Sequence, residues 1–197
     1  MSKKEKKIKY NEMLQKYLDN KEFVKLFRTF FNKEEDLSGF ILKMTKDFLL
    51  LQVADNFILD GYAIIRQDDY DSIRSSPYEK NYKKIFKSEG ILDTTYGLDK
   101  NIDLTSWENI LQDLKKYDYH VIVENTNKDF LDFFIGPIKK VTKNTVSIHH
   151  YDPTGKLDKR PTKIKLDKIK TIKFGDRYST IFRKYIKPEK LFISLHK

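Results

Sequence analysis

The chain has 197 residues, of which 39% are hydrophobic, 14% aromatic and 35% charged, so it can build one large or two small domains. It contains no cysteine, which excludes disulfides, thiol nucleophiles and cysteine metal sites, and no apolar run reaches the roughly 20 residues that a membrane helix needs. The basic N-terminal residues continue into a charged pattern without the apolar core of a signal peptide, and these features together indicate a cytoplasmic protein.

The net charge of +10 is unevenly distributed along the chain. Residues 1–30 carry nine basic and four acidic side chains, residues 31–135 thirteen and twenty, and residues 136–197 seventeen and five. Such a basic C-terminal third suggests a polyanion or an acidic protein as partner. Only six of the 39 basic residues are arginine, the better residue for bidentate phosphate recognition, so a solvated lysine surface is the simpler alternative.

One segment of the sequence occurs twice. Residues 136–148 read GPIKKVTKNTVSI, and residues 39–51, which lie 97 positions earlier, read GFILKMTKDFLLL. The glycine, the isoleucine two positions later and the Thr-Lys pair coincide. Beyond Ile65 the offset becomes 99, so that Asp68 corresponds to Asp167, and the change indicates a two-residue insertion in the loop DPTG. The pattern predicts a duplicated unit of about seventy residues.

In the first copy, apolar residues at helical spacing predict a helix over residues 4–19. Residues 23–30 fit a helix or a strand, and their alignment with the clear strand YHVIVEN at 119–125 favours a strand. Residues 32–38 are predicted to be a polar connection, followed by strands at 39–45 and 48–53 joined by a tight turn. Within residues 55–66, Asp60-Gly61 indicates a turn or a bulge. A strand at 70–74 and a helix at 77–89, stopped by Gly90, follow.

The second copy begins after a predicted linker, residues 91–104, which separates domains at 1–90 and 105–197. A capping box from Thr105 to Glu108 is expected to open a helix that reaches about residue 116. Strands are predicted at 119–125, 130–141, 145–151, 162–166 and 169–174, with a turn at 126–128 and a long loop at 152–161. A short helix near 177–186 and a strand at 191–196 complete the prediction.

Each copy therefore consists of a helix and five short strands with a glycine in the second strand, where a strand bends or another backbone comes close. This order resembles the Sm/LSm fold, an SH3-like barrel preceded by a helix. The segments LDGYAIIR, SWENIL, VIVE, FIGPI and FGDRY are similar to a group of bacterial proteins with two such barrels. The resemblance implies a mainly β fold with flanking helices, made of two tandem five-stranded Sm-like barrels whose edge strands can pair into homo-oligomers.

The resemblance does not extend to the RNA contacts of Sm proteins. Those proteins hold uridine-rich RNA with an Asp-x-x-x-Asn pattern in one loop and Arg/Lys-Gly in another. At the positions of the first pattern this chain has Thr45 and Leu49 in one copy and Thr142 and Val146 in the other. The later loops lack the glycine.

No catalytic motif is recognisable: the sequence has no phosphate loop, dinucleotide fingerprint, nucleophile elbow or zinc helix motif. His149 and His150 are neighbours in a predicted strand, so their side chains point to opposite faces and cannot share a metal. Asp68, Asp69 and Asp71 could support acid–base chemistry, although strand-end turns are commonly acidic for solvation reasons. We therefore predict no enzyme activity, no metal and no cofactor.

Two functions stay open. The first is a non-catalytic adaptor that binds a protein partner through strand edges or the loop at 152–161, and the sequence favours it narrowly. The second is RNA binding by the basic second copy, with Tyr62, Tyr70, Tyr151 and Tyr178 as aromatic residues that could stack on bases. The candidate nucleic-acid-binding residues are Lys139, Lys140, Lys143, Lys170, Lys173, Arg177 and Arg183.

Overall fold

A computed structural model describes residues 3–127 and 130–187, and it describes side chains from residue 9 onward. The strands are β1 (Phe23–Phe30), β2 (Lys33–Met44), β3 (Phe48–Asp55), β4 (Ile58–Arg66), β5 (Ser72–Arg74), β6 (His120–Asn127), β7 (Phe130–Val141), β8 (Thr145–Ile148), β9 (Thr162–Lys165) and β10 (Ile169–Phe174). The helices are α1 (Lys3–Asp19), α2 (Pro77–Ser88), α3 (Ile91–Thr94), α4 (Trp107–Lys116) and α5 (Arg177–Phe182), with 3-10 turns at Leu166–Lys168 and Arg183–Tyr185.

All ten strands belong to one antiparallel sheet in the order β5-β1-β2-β3-β4-β10-β6-β7-β8-β9. In the first half, residues 3–88, the last strand, β5, pairs with the first strand, β1. In the second half, residues 107–185, the last strand, β10, pairs with the first strand, β6, in the same way. The halves are joined by the pairing of β4 with β10. The prediction of a mainly β protein with flanking helices is confirmed. The sheet is open, however, and neither half forms a separate closed barrel.

The duplication is visible in the hydrogen-bonding register of the strands. β1 and β6 both have eight residues, and β2 and β7 both have twelve. Val24 pairs with Gly39, and Val121 pairs with Gly136. The register of β2 on β3 shifts just after Ile41, and that of β7 on β8 shifts just after its equivalent, 97 positions later. A repeat that preserves strand lengths, pairing and a bulge is a repeat of the folded unit.

The paired glycines are required by the close approach of neighbouring strands. A Cβ atom on Gly39 would lie 2.0 Å from the carbonyl oxygen of Gln52, and one on Gly136 would lie 2.1 Å from that of His149. Both distances are far inside van der Waals contact, and both obstacles are backbone atoms, which cannot rotate away. The bend therefore requires glycine in each half.

Strands β3 and β4 lie between two hydrophobic cores. Leu49 and Leu51 face the core of the first half, which α1 covers with Leu14. Phe48 and Leu50 face the opposite way and belong to the core of the second half, together with Trp107. The apolar run FLLL at the start of β3 is explained by this burial on both faces. Among the described residues, no helix is both long and apolar enough to cross a membrane.

The predicted linker is packed against the first half. The Lys43 ammonium group donates a hydrogen bond to the carbonyl oxygen of Ile102 (2.6 Å), and the Gln52 amide donates one to that of Thr95 (2.7 Å). The Tyr62 hydroxyl group donates to the carbonyl oxygen of Gly97 (2.7 Å). Ile102 itself is buried in the core of the second half. Residues 91–104 thus connect the halves through specific contacts.

Three local predictions were wrong in detail. The predicted polar connection at 32–38 is mostly strand, part of β2. Residues 31–32 form a two-residue turn with positive φ that joins β1 to β2. The charged side chains of β2 are satisfied across the pair, as when Asp36 forms an ion pair with Lys25 at 3.1 Å. The cap of α4 is Ser106, whose hydroxyl group accepts from the Asn109 N–H, and not Thr105. The turn predicted to begin at residue 126 is still part of β6.

The other predicted elements agree with the structure. α1, α2 and α4 are helices, and β1 is a strand, as the comparison of the copies indicated. Asp60-Gly61 lies inside β4, opposite a register shift in β3, so the bulge interpretation is the right one of the two. The predicted strand at 191–196 lies outside the described residues.

The glycine contacts lead to a stability prediction. Replacing Gly136 with Ala should lower the free energy of unfolding by about 3 kcal/mol or more, because the new methyl group forces β7 and β8 apart. Gly90→Ala is the matched control: its added Cβ meets no atom within 4 Å, so only the cost of its positive φ, about 1 kcal/mol, is expected. Urea unfolding of both variants measures the difference. Equal losses would contradict the account.

Candidate nucleic-acid interface

The seven predicted basic residues do not form one surface. Lys170 and Lys173 lie on β10, which is hydrogen-bonded on both sides, to β4 and to β6. The Lys170 ammonium group forms an ion pair with Asp69 at 2.5 Å, and that of Lys173 forms one with Glu124 at 2.5 Å. Both carboxylates are largely buried. These two lysines therefore serve the junction between the halves and are not available to a polyanion.

Arg28 is the centre of the charge cluster at this junction, and its side chain is only 2% exposed. One guanidinium nitrogen donates to the Thr171 hydroxyl oxygen at 2.5 Å. The other lies 3.1 Å from the carboxylates of both Glu35 and Glu124. The cluster joins β1 of the first half to β6 and β10 of the second. Buried charge is costly unless paired, and here each charge has a partner of opposite sign.

The pKa of Glu124 is lowered from its ordinary value. Burial by itself would raise this pKa, but the positive charges of Lys173 and Arg28 and the hydrogen bonds from Lys173 and Thr171 lower it by more. Glu124 is consequently ionised in the folded protein at neutral pH. It is the shared acceptor of two cations that come from different halves.

The two arginines of the predicted set occupy different environments. Arg183 forms an ion pair with the carboxylate of Asp118 and also donates to the Asp118 carbonyl oxygen at 2.8 Å. Arg177 begins α5 with an exposed side chain, and its backbone N–H donates to the Asp60 carboxylate at 2.6 Å. This last contact again lies where the halves meet, since a Cβ on Gly61 would lie 2.5 Å from the backbone nitrogen of Asp176.

Lys139, Lys140 and Lys143 are exposed near the end of β7 and in the turn that follows. Lys140 is the direct cross-strand neighbour of Ser147, and Ser147 is that of Lys163. Cross-strand neighbours project from the same side of a sheet, so these three residues form one row. Lys165, opposite Thr145, lies on the same face. We call the exposed set Lys140, Lys163 and Lys165 the lysine face, whereas Lys143, in the turn, lines the cleft between the halves.

Within the described part of the chain, no carboxylate lies within ion-pair distance of the lysine face. Sequence reasoning missed two of its members, Lys163 and Lys165. Their signal was the alternation Lys-Ile-Lys in a predicted strand, which places the two lysines on one face and buries Ile164 on the other. Lys163 and Lys165 belong to β9, the terminal strand of the sheet, whose outer edge is unpaired in the described sheet.

A cleft of about 690 Å³ lies between the halves. Its walls include the turn after β2, the end of β4, and the first turn of α4, where the Arg66 guanidinium group lies 6.0 Å from the Trp107 ring. The charged side chains that line it are Lys46, Arg66, Lys143, Asp47, Asp68 and Glu108, three of each sign. The cleft therefore has no net charge that would select an anion.

The residues considered for metal binding and acid–base chemistry have structural contacts. The His149 ring nitrogen Nε2 lies 2.8 Å from the carbonyl oxygen of Asp158, and His150 Nδ1 accepts the Ile135 N–H at 3.0 Å. Asp71 accepts from the Thr29 hydroxyl group at 2.9 Å. In residues 3–127 and 130–187, no three His, Asp or Glu side chains are grouped so that they could hold a metal ion.

Of the four tyrosines considered for base stacking, three are occupied within the fold. Tyr151 is 1% exposed, Tyr62 donates its hydroxyl group to a backbone carbonyl, and Tyr70 is largely buried beside Tyr10, at a ring distance of 6.2 Å. Tyr178 is 51% exposed. It is the one member of this set whose ring is half accessible.

Comparison of the chain with protein-family models, with curated proteins and with solved structures found no match. The interpretation of the site therefore depends on its own geometry.

The charge cluster generates a pH-dependent prediction. Glu124→Gln should lower the free energy of unfolding by about 3 kcal/mol at pH 7, because it leaves the buried Arg28 and the half-buried Lys173 without their shared carboxylate. The folded-state pKa of Glu124 lies below the ordinary 4.5, so its contribution is present above pH 4.5 and is lost as the pH falls through the folded pKa. The difference between the variant and the wild type should therefore shrink at low pH.

Urea unfolding at pH 7 and at pH 3 measures this difference. Asp47→Asn is the matched control, because its ion pair with Lys46 is long (3.9 Å) and exposed and should contribute under about 0.5 kcal/mol. A Glu124→Gln variant as stable as the wild type at pH 7 would contradict the assignment of Glu124 to a stabilising cluster.

Proposed function

We propose that the protein is a non-catalytic binding protein built from two Sm-like barrels and that it binds nucleic acid through its lysine face. The barrel part is supported by the architecture of each half: a helix precedes five antiparallel strands, and a glycine in the second strand admits the third. In both halves the last strand pairs with the first, and the strands of each half contribute to a hydrophobic core. This element order and pairing support the Sm resemblance.

The nucleic-acid part depends on one observation, the difference between the same face in the two halves. In the first half this face is formed by Phe48, Leu50 and Ile64, which are buried under the second half. Thr145 and Ser147 follow Phe48 and Leu50 by 97 positions, and Lys163 pairs with Ser147 as Ile64 pairs with Leu50. In this second face Lys163 is exposed, and Thr145 and Ser147 are partly exposed. Exposure alone requires polar side chains of any kind, but the charged residues here are all cations.

The chemistry of the lysine face favours the phosphate backbone as its ligand. Three ammonium groups without carboxylate partners among the described residues attract a polyanion and release its counterions on binding. Lysine presents a point charge without the fixed fork of arginine, so it positions a phosphate backbone but does not read base edges. We therefore expect binding that is sensitive to salt and largely independent of sequence.

A protein partner is the second candidate, and the cleft between the halves is the observation in its favour. The cleft is large enough for several side chains, and its balanced charges suit a polar protein segment better than a polyanion. On this alternative, the variants of the lysine face would leave binding unchanged, whereas Arg66→Ala and Glu108→Ala in the cleft wall would weaken it.

Self-association by repetition of the internal junction is disfavoured. In such an assembly, β10 of another molecule would pair with β9 as β10 pairs with β4 inside the chain. It would then meet Lys163 in place of Ile64 and Pro161 in place of Tyr62. Lysine and proline on an edge strand oppose pairing with another strand. We expect the chain to be a monomer, with the two outer edges left unpaired.

The binding test is fluorescence anisotropy with a labelled single-stranded 20-nucleotide RNA at 50 and 200 mM salt. Affinity should fall by at least about tenfold between these salt concentrations if several phosphates are contacted. Lys163→Ala with Lys165→Ala should weaken binding at low salt and reduce the slope of log affinity against log salt by about 1 to 2.

The control replaces Lys16 and Lys33, two exposed lysines of the first half, with alanine and so removes the same charge. It should bind nearly as the wild type does. No binding of RNA or DNA at 50 mM salt would remove the nucleic-acid proposal and leave the protein-partner candidate.

A further inference from the structure

The duplication continues beyond the strands into the helices that follow them. From Ser75 onward the two halves align at an offset of 100. Ser76 caps α2 and Asp176 caps α5, each with a side-chain oxygen that accepts a backbone N–H. The third helical residue is buried in both, as Glu79 and as Ser179. Cap, burial and position agree, so α2 and α5 are equivalent elements although one is twice as long as the other.

Each of these helices presents an exposed tyrosine at its second position. Tyr78 is 76% exposed and Tyr178 is 51% exposed. Two aromatic residues at equivalent places on the surface of both halves are not explained by the core, because neither belongs to one of the three hydrophobic clusters of buried residues. Single exposed apolar residues are common on protein surfaces, whereas contiguous exposed aromatic surface marks interaction sites, so the neighbours of each tyrosine decide its significance.

In the second half, the exposed tyrosine ends a column of near-parallel rings. Tyr178 stacks on Phe182 with ring centroids 5.2 Å apart and an interplanar angle of 21°. Phe182 in turn stacks on Tyr151 at 5.2 Å and 3°, and Tyr151 is buried. The column has one end in the core and the other at the surface. A planar group that stacked on Tyr178 would extend it by one ring.

The first half has a similar stack at the equivalent place. Tyr82, which corresponds to Phe182, lies between Phe57 at 4.8 Å and Phe23 at 5.4 Å, with interplanar angles of 18° and 21°. Phe57 is 37% exposed and Tyr82 is 41% exposed. A groove of about 470 Å³ runs beside these rings and Tyr78. Tyr78 is not part of this stack but borders the same groove, so the first half offers an exposed ring and the space for a planar ligand beside it.

We propose that Tyr78 and Tyr178 are equivalent stacking positions for the bases of a single-stranded nucleic acid. This inference rests on the proposed function and names its substrate class: a strand whose bases are unpaired. A duplex keeps its bases stacked inside, so it can use the lysine face but not the tyrosines. Stacking on aromatic side chains tolerates any base, which agrees with the sequence-independent contacts expected of the lysines.

Cations accompany both tyrosines, as a nucleic-acid strand requires. Arg177 precedes Tyr178 and is exposed, and the guanidinium group of Arg74 borders the groove beside Tyr78 and is 46% exposed. These groups lie at the ends of the two helices where a backbone would pass a stacked base. Arg177 can contact a phosphate directly, whereas the guanidinium group of Arg74 is already paired with the Glu79 carboxylate at 2.7 Å.

The aromatic column of the second half reaches the ring of His120, which lies 5.8 Å from the Tyr151 ring. Burial and then the positive charge of Arg183 lower the pKa of His120 to about 4, while the Asp118 carboxylate, which is paired with Arg183, acts in the opposite direction. His120 is therefore neutral at pH 7 and adds no charge beside the column.

The test compares single-stranded and duplex RNA of the same sequence by fluorescence anisotropy at 50 mM salt. Tyr78→Ala and Tyr178→Ala should each weaken single-strand binding by about tenfold and leave duplex binding unchanged. Tyr78→Phe and Tyr178→Phe keep the ring and should bind as the wild type does. Tyr185→Ala is the matched control, since Tyr185 is 71% exposed in the same half but lies outside the column.

Tyr78 is so exposed that its removal should not unfold the protein, and a thermal unfolding scan of each variant verifies this. Equal weakening of single-strand and duplex binding would overturn the inference. The inference would also be overturned if both alanine variants bound with wild-type affinity. If the lysine-face variant nevertheless bound weakly, the proposed function would still stand. Absence of any nucleic-acid binding by the wild type would remove both.

Discussion

The pairing of β4 with β10 is the interaction on which the rest of the structure depends. Through it, Leu50, Ile64, Ile172 and Val123 form one cross-strand row of buried apolar side chains that runs from the first half into the second. On the opposite face of the same strands, Thr171 and Glu124 receive the guanidinium group of Arg28. One ladder of backbone hydrogen bonds thus aligns an apolar row and an ionic cluster at the same time. Neither could form if the halves were separate.

The junction also makes the two halves different from each other. Because the first half is covered, its outer face must be apolar, and β3 reads as a continuous hydrophobic run. The same face of the second half is open, and β8 reads TVSI, in alternation, with lysines on the strands beside it. The polarity that distinguishes the copies is therefore a consequence of which face is buried, whereas its positive sign is not. Ligand binding, on our proposal, uses the face that the junction leaves free.

Much of the fold could be predicted from the sequence, because strand periodicity and the internal repeat are local or self-comparing signals. Aligning the two copies of the repeat correctly identified β1 as a strand. The contacts of Arg28 with Glu124 could not be predicted, since they join residues 96 positions apart that become neighbours only through the junction. For the same reason, Lys170 and Lys173 were predicted to be at a binding surface, although they lie in ion pairs at the centre of the sheet. Lys163 and Lys165 were missed, although their alternation with Ile164 carried the signal.

The most direct test of the central claim, that the junction makes the halves one cooperative unit, is equilibrium urea unfolding followed by two probes. Trp107 is the only tryptophan, and it lies in a core that contains Phe48 of the first half and Ile110 of the second, so its fluorescence reports the junction. Far-ultraviolet circular dichroism reports both halves together. The account predicts a single transition with the same midpoint for both probes. Two separate transitions, with the fluorescence change confined to one of them, would contradict it.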